Sequence, residues 1–188
     1  MNLGTYIING FKQYLFDTQA TKDIVASPDG FRNGVLLLAL ISGFYALITF
    51  GVMIVFGQVF GYHIRAFGAL YAVAVFSLLF IGSFIFYGIT HLIARLFGGK
   101  TSFKKLFAAG VAAMCAGALI GLGVTILGTL LFMGWPILLA LGIYAVVIFV
   151  LIVREVYQFS TGRAVATVLL PVAVVFTLVS ILVIALVG

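Results

Sequence analysis

Charge is scarce in this chain. Asp, Glu, Lys and Arg make up 7% of its 188 residues and apolar side chains 65%, whereas a soluble domain carries about 25% charged residues. So few polar side chains cannot cover a globule, which excludes a water-soluble domain. The mean hydropathy of +1.36 points the same way. There is one cysteine, Cys115. It excludes an internal disulfide and a thiol-rich metal site, and inside an apolar helix it reads as a small packing residue. The two histidines, His63 and His91, fall near opposite faces of the bilayer in the reading below, so they cannot share a metal. The chain has no His-Glu-x-x-His, no Gly-x-Ser-x-Gly and no phosphate-cradling glycine loop. No catalytic group, cofactor, metal or nucleic-acid partner is expected, and the chain does not read as an enzyme.

The charge that is present has a pattern. It leaves four uncharged runs, 33–64, 66–94, 106–153 and 164–188. A spanning helix needs about 20 apolar residues, so three runs hold one helix each. The run at 106–153 holds two, broken at Met133-Gly134-Trp135-Pro136, where Pro136 suits a first helical turn. The expected fold class is all-α, a polytopic integral membrane protein. Its five-helix transmembrane bundle is placed at about 34–57, 67–94, 105–132, 135–153 and 164–187. Residues 1–33 form an N-terminal segment and 34–188 the transmembrane domain.

Five crossings put Lys12, Lys22, Arg32, Arg95, Lys100, Lys104, Lys105, Arg154 and Arg163 on one side with all four acids, and only Arg65 on the other. Basic residues in short loops mark the cytoplasmic face. The amino terminus is therefore expected inside and the carboxyl terminus outside. The first apolar run starts near residue 34 and is too long for a signal-peptide core, so the first helix is expected to serve as an uncleaved anchor.

Residues 3–16 read as an interfacial amphipathic helix. Leu3, Tyr6, Ile7, Ile8, Phe11, Tyr14 and Leu15 share one arc, with Thr5, Asn9, Lys12 and Gln13 opposite. Such a helix can lie on the lipid surface or pack on the ends of the bundle. Ser27-Pro28-Asp29-Gly30 reads as a turn. In the third span Ala109, Ala113, Gly117, Gly121, Thr125 and Thr129 recur every four residues. Small side chains let another helix approach closely, so this stripe is a packing face for the same chain or a second copy. Gly98-Gly99 permits a tight turn, and Thr101 or Ser102 can cap the helix that follows. Arg95, Lys100, Lys104, Lys105, Arg154 and Arg163 are candidates for contact with anionic lipid or a partner. Pro171 should bend the last helix, with the Thr167 hydroxyl available to the freed backbone. No charged residue lies mid-span; Ser42, Thr49, Ser77, Ser83, Thr125, Thr129, Thr177, Ser180, Tyr45 and Tyr144 can hydrogen-bond between helices.

Two stretches carry a family resemblance. His91-Leu-Ile-Ala-Arg-Leu-Phe-Gly-Gly-Lys-Thr-Ser-Phe-Lys-Lys-Leu-Phe107 resembles the junction between the second and third helices of the Yip family, Rab-GTPase-interacting membrane proteins with prokaryotic relatives. Tyr157-Gln-Phe-Ser-Thr-Gly-Arg-Ala164 is similar to that family's junction before its last helix. The resemblance implies five spans with a cytoplasmic amino terminus, and a small GTPase as partner follows from it alone. The chain has Ala112-Ala113-Met114 where the family often has proline, and lacks the long polar amino-terminal region of eukaryotic members. It looks more like a prokaryotic, cell-membrane form. The expected function is a non-enzymatic scaffold or adaptor that assembles with membrane partners or itself through small-residue helix faces. A transporter, channel or lipid-handling protein or subunit is the alternative, and it calls for a cavity near Ser77, Ser83, Thr125 or Tyr144.

Overall fold

A computed structural model describes residues 1–59, 65–130 and 134–187, and every element among them is helical. Two short helices, α1 (Leu3–Tyr14) and α2 (Thr18–Ala26), precede five long ones: α3 (Gly30–Val59), α4 (Arg65–Leu96), α5 (Phe103–Leu130), α6 (Gly134–Tyr157) and α7 (Thr161–Val187). Among the described residues, four stretches are long and apolar enough to cross a membrane: Gly30–Val55, Phe67–Leu96, Phe103–Thr125 and Pro136–Tyr157. The helix expected at 164–187 is present as α7, in which Thr161–Val174 is a shorter apolar stretch. The expectations for His63 and for the break at Met133 fall outside the described residues, as do the side chains of Arg65, Thr129, Trp135 and Ser180.

The long helices run further toward one end of the bundle than their uncharged runs predict. Charge marks where apolar sequence stops, but the chain turns later, at residues shaped for turning. The Gly98 amide donates to the Arg95 carbonyl at 3.0 Å and the Gly99 amide to the Ala94 carbonyl at 2.9 Å. This paired closure needs a left-handed residue, and Gly98 supplies it with φ 88°. The end of α6 closes similarly, the Phe159 amide donating to the Arg154 carbonyl at 3.0 Å with Gln158 at φ 55°. Arg95 and Arg154 thus sit in last helical turns, where a cation is favoured by the helix dipole.

The packing is small inside and large outside. Ala108, Ala109, Ala112, Ala113 and Ala116 of α5 are buried, while Leu47 and Leu78 are 71% and 74% exposed. Apolar exposure on this scale marks a membrane-facing surface. Helix α5 is central, packing against α1, α2, α3, α4 and α6; α4 and α6 each also pack on α7.

The N-terminal segment does not lie flat across the ends of the bundle. Along α1, the Tyr6 hydroxyl donates to the Ala108 carbonyl at 2.6 Å. A Cβ on Gly10 would lie 2.5 Å from the Ala112 carbonyl oxygen, and the Tyr14 ring covers Gly117. Contacts that advance together mean that α1 runs alongside α5 and parallel to it. Alanine and glycine leave the α5 carbonyls open, and a helical carbonyl keeps a second lone pair for a hydroxyl. Helix α1 therefore packs on the bundle, one of the two placements its sequence allowed, and does so along the side of α5. Asn9 and Gln13, from the polar side of the wheel, are buried, whereas Ile8 and Leu15 are exposed. Gln13 explains part of this inversion: its Nε2 donates to Thr21 Oγ1 at 2.9 Å and joins α1 to α2. The turn between them repeats the paired closure, with Phe16 at φ 64° and Asp17 capping α2 by accepting from the Gln19 and Ala20 amides.

Candidate functional site

The two stretches that carry the sequence resemblance meet in space. His91 Nδ1 and the Tyr157 hydroxyl are 2.5 Å apart. The Thr101 hydroxyl donates to the Val156 carbonyl at 2.7 Å, so it bonds across to α6 instead of capping α5. Gly99 is needed for that approach: a Cβ there would lie 2.6 Å from the Tyr157 ring and 3.1 Å from Phe159. Rings extend the joint inward. His91 faces Phe103 with centroids 6.0 Å apart, and Phe107 stacks on Phe84 at 4.5 Å. The turns after α4 and α6 are thereby locked into one clasp.

The clasp gathers the candidate basic side chains at one end. Arg95, Lys100, Lys104, Lys105 and Arg163 are exposed there. Of these only Lys100 lies in a turn; the rest stand on the ends of α4, α5 and α7. Arg154 is half-buried and pairs with Glu155 at 3.3 Å, and Lys104 Nζ sits 5.8 Å from the centre of the Phe31 ring.

The small-residue stripe divides. Ala109 and Ala113 are buried, Gly117 lies under Tyr14, nothing stands within 4 Å of a Cβ built on Gly121, and Thr125 is exposed with its hydroxyl on the Gly121 carbonyl at 2.8 Å. Helix α1 is received first by the neighbouring row of α5, Ala108 and Ala112, and then by Gly117 of the stripe itself. Sequence reasoning missed Tyr6, Gly10 and Tyr14. Their four-residue spacing in α1 matches the period of the α5 stripe, which was the available signal. Burial raises the phenol of Tyr6, helped by Cys115 and Tyr87, and burial also raises Tyr14, helped by Tyr144. Both stay neutral donors or packing rings.

The mild polar groups satisfy themselves locally for the most part. Thr49, Ser83, Thr90, Thr167 and Thr177 each donate to the carbonyl one turn earlier in the same helix. For Thr167 that carbonyl belongs to Arg163, so its hydroxyl bonds away from Pro171. Between helices Ser83 also reaches Met114 Sδ on α5 at 3.7 Å, and two tyrosines bond to backbone. Tyr45 donates to the Ala118 carbonyl at 2.8 Å, and Tyr144 to the carbonyl of Tyr14.

Beyond the clasp a cavity of about 590 Å³ lies between α4, α5, α6 and α7, with Tyr14 at its edge. Ser83 is its hydroxyl-bearing serine; Ala113, Gly117 and Gly121 of the stripe form its α5 wall. Ser77, Thr125 and Tyr144 are not among the described lining residues. Among the described residues no three His, Cys, Asp or Glu side chains gather in a way that could hold a metal.

Long apolar helices around an alanine-lined centre define the class, a multi-pass helical membrane protein. The chain belongs to the Yip1 domain family, whose signature matches residues 14–183. No curated protein and no solved structure matches it.

Proposed function

We propose that this chain is a non-enzymatic membrane scaffold with five crossings, α7 being the fifth, and with the clasp and the amino terminus in the cytoplasm of a prokaryotic cell. One observation carries the reading. The clasp holds Arg95, Lys100, Lys104, Lys105 and Arg163 exposed on one rigid end, with Arg154 beside them. Fixed cations at a membrane surface attract anionic headgroups and acidic partners, each contributing about 1 kcal/mol near an anionic leaflet. The test is purification in mild detergent of the chain and of a variant with Arg95, Lys100, Lys104, Lys105 and Arg163 changed to Ala. Loss of copurifying lipid or protein from the variant is expected, and identical copurification refutes the reading. Tags at the two chain ends should be accessible from opposite faces of intact membranes.

A second reading, lipid handling or a transporter subunit, draws on the cavity. Among the described residues its lining has no Asp, Glu, Lys or Arg, which suits a neutral or lipid-like molecule over an ion.

A further inference from the structure

We infer that the cavity is a binding site for one acyl chain of a bilayer lipid. The inference names a ligand for the second reading, and its failure leaves the basic-end scaffold standing.

The glycines of the wall carry the argument. Five described lining residues are glycines, and they fall into two kinds. At Gly110 and Gly117 a Cβ would collide with the rings of Tyr87 and Tyr14, so those glycines serve close packing. At Gly82, Gly121 and Gly142 a Cβ would meet nothing within 4 Å. Glycine weakens a helix interior unless a close approach requires it, and among the described residues no atom comes within 4 Å of a Cβ at these three. Other glycines are equally free, Gly43 and Gly51 among them, but Gly82, Gly121 and Gly142 come from three different helices and look into one space. What they leave is room, and the size falls in the ~300–1,000 Å³ range of small-molecule sites.

The occupant follows from where the room opens. Leu78, Leu138, Val146 and Val172 line the cavity and are also exposed, so it opens on their side. At 1.5 Å per residue these positions lie roughly 12–25 Å along their helices from Arg95, Arg154 or Arg163. With the basic side chains at one face of a core about 30 Å thick, the opening lies in hydrocarbon and straddles the midplane, Val146 and Val172 on the near side and Leu78 and Leu138 on the far side. Water does not settle in an apolar void, and an unfilled one forfeits the dispersion contacts of its walls. The material at that depth is lipid chain. The lining offers no described cation for a headgroup, so the headgroup stays at the membrane interface while its chain enters.

The test uses the full chain in nanodiscs made from phospholipid carrying a mid-chain diazirine, with adducts mapped by mass spectrometry. Leu79, Met114 and Leu141 line the cavity and are only partly exposed; Leu40 and Leu47 on α3 are outward-facing controls. Adducts are expected at both sets in the unmodified chain. In a Gly82→Leu, Gly142→Leu variant the cavity adducts should be lost and the α3 adducts kept. If that variant does not assemble, Gly121→Leu alone makes the same comparison. A diazirine-bearing long-chain alcohol supplies the same hydrocarbon without a phospholipid headgroup. Silence at the cavity residues while α3 is labelled overturns the inference. So does cavity labelling that survives the filled glycines, or labelling by the alcohol and not by the phospholipid.

Discussion

Gly117 and Gly121 are one helical turn apart on α5, and their environments predict opposite fates for the same substitution. A Cβ at Gly117 would lie 2.6 Å from the Tyr14 hydroxyl and 2.8 Å from its ring. Tyr14 has little room to retreat. It is buried, its ring centre is 5.2 Å from that of Tyr144, and its carbonyl accepts the Tyr144 hydroxyl. Leucine in place of Gly117 must therefore push α1 away, and overpacking of this kind costs about 1–3 kcal/mol. Leucine in place of Gly121 enters open space. Both changes gain the same roughly 1 kcal/mol from replacing glycine in a helix, so that gain cancels in the comparison and the overpacking cost remains. Cys115 provides the readout, because it is buried in the same core cluster as Tyr6 and Tyr14. If labelling proceeds through undocking of α1, a difference of 1–3 kcal/mol makes maleimide modification about 5–150-fold faster in Gly117→Leu than in Gly121→Leu. Equal rates in the two variants, each confirmed as folded by gel filtration, would refute the packing argument.

Three other outcomes follow from particular contacts. Tyr6→Phe deletes the buried bond to the Ala108 carbonyl and should lower stability by about 1 kcal/mol in thermal unfolding. Because burial raises the Tyr6 pKa above 10.0, its share of stability is present below pH 10 and lost as pH climbs past that value; alkaline melting curves of Tyr6→Phe should lack that loss. Gly98→Ala meets no neighbour, yet Gly98 has φ 88°, so backbone strain alone should destabilise it by about 1–2 kcal/mol, and an unchanged melting temperature would contradict the turn geometry. Thr101→Val removes the bond to Val156 and should cost about 1 kcal/mol, with faster amide exchange at residues 97–102 and 158–160 together.

The long helices were legible because hydrocarbon imposes a simple rule on sequence: charge stays out for a whole crossing. That rule located α3 to α7 to within a few residues. It could not find their ends, which Gly98 and Gln158 set by backbone conformation. Nor could it place α1. A helical wheel ranks side chains by polarity, and on that scale Tyr6 and Tyr14 belong with Ile8 and Leu15. The fold separates them because a tyrosine can bond or cover a backbone left bare by Ala108, Ala112 and Gly117, and leucine cannot. The stripe on α5 had the same limit. Gly117 and Gly121 are identical as letters, and only the arrival of Tyr14 from over a hundred residues away makes one a contact and the other a gap. The cavity was illegible for the same reason, since empty space is a property of four helices at once.

The clasp has a mechanical corollary. Thr101 and Val156 are 55 positions apart in the chain, yet they pin two helical hairpins at a single extremity, like the spring of a clothes-peg. The jaws on the opposite side carry leucines, valines and glycines with no polar tether between α4 and α6 among the described residues. Among the described residues, the hydrogen bonds that tie these two hairpins together are therefore gathered at one pole, and the other pole is held by apolar packing.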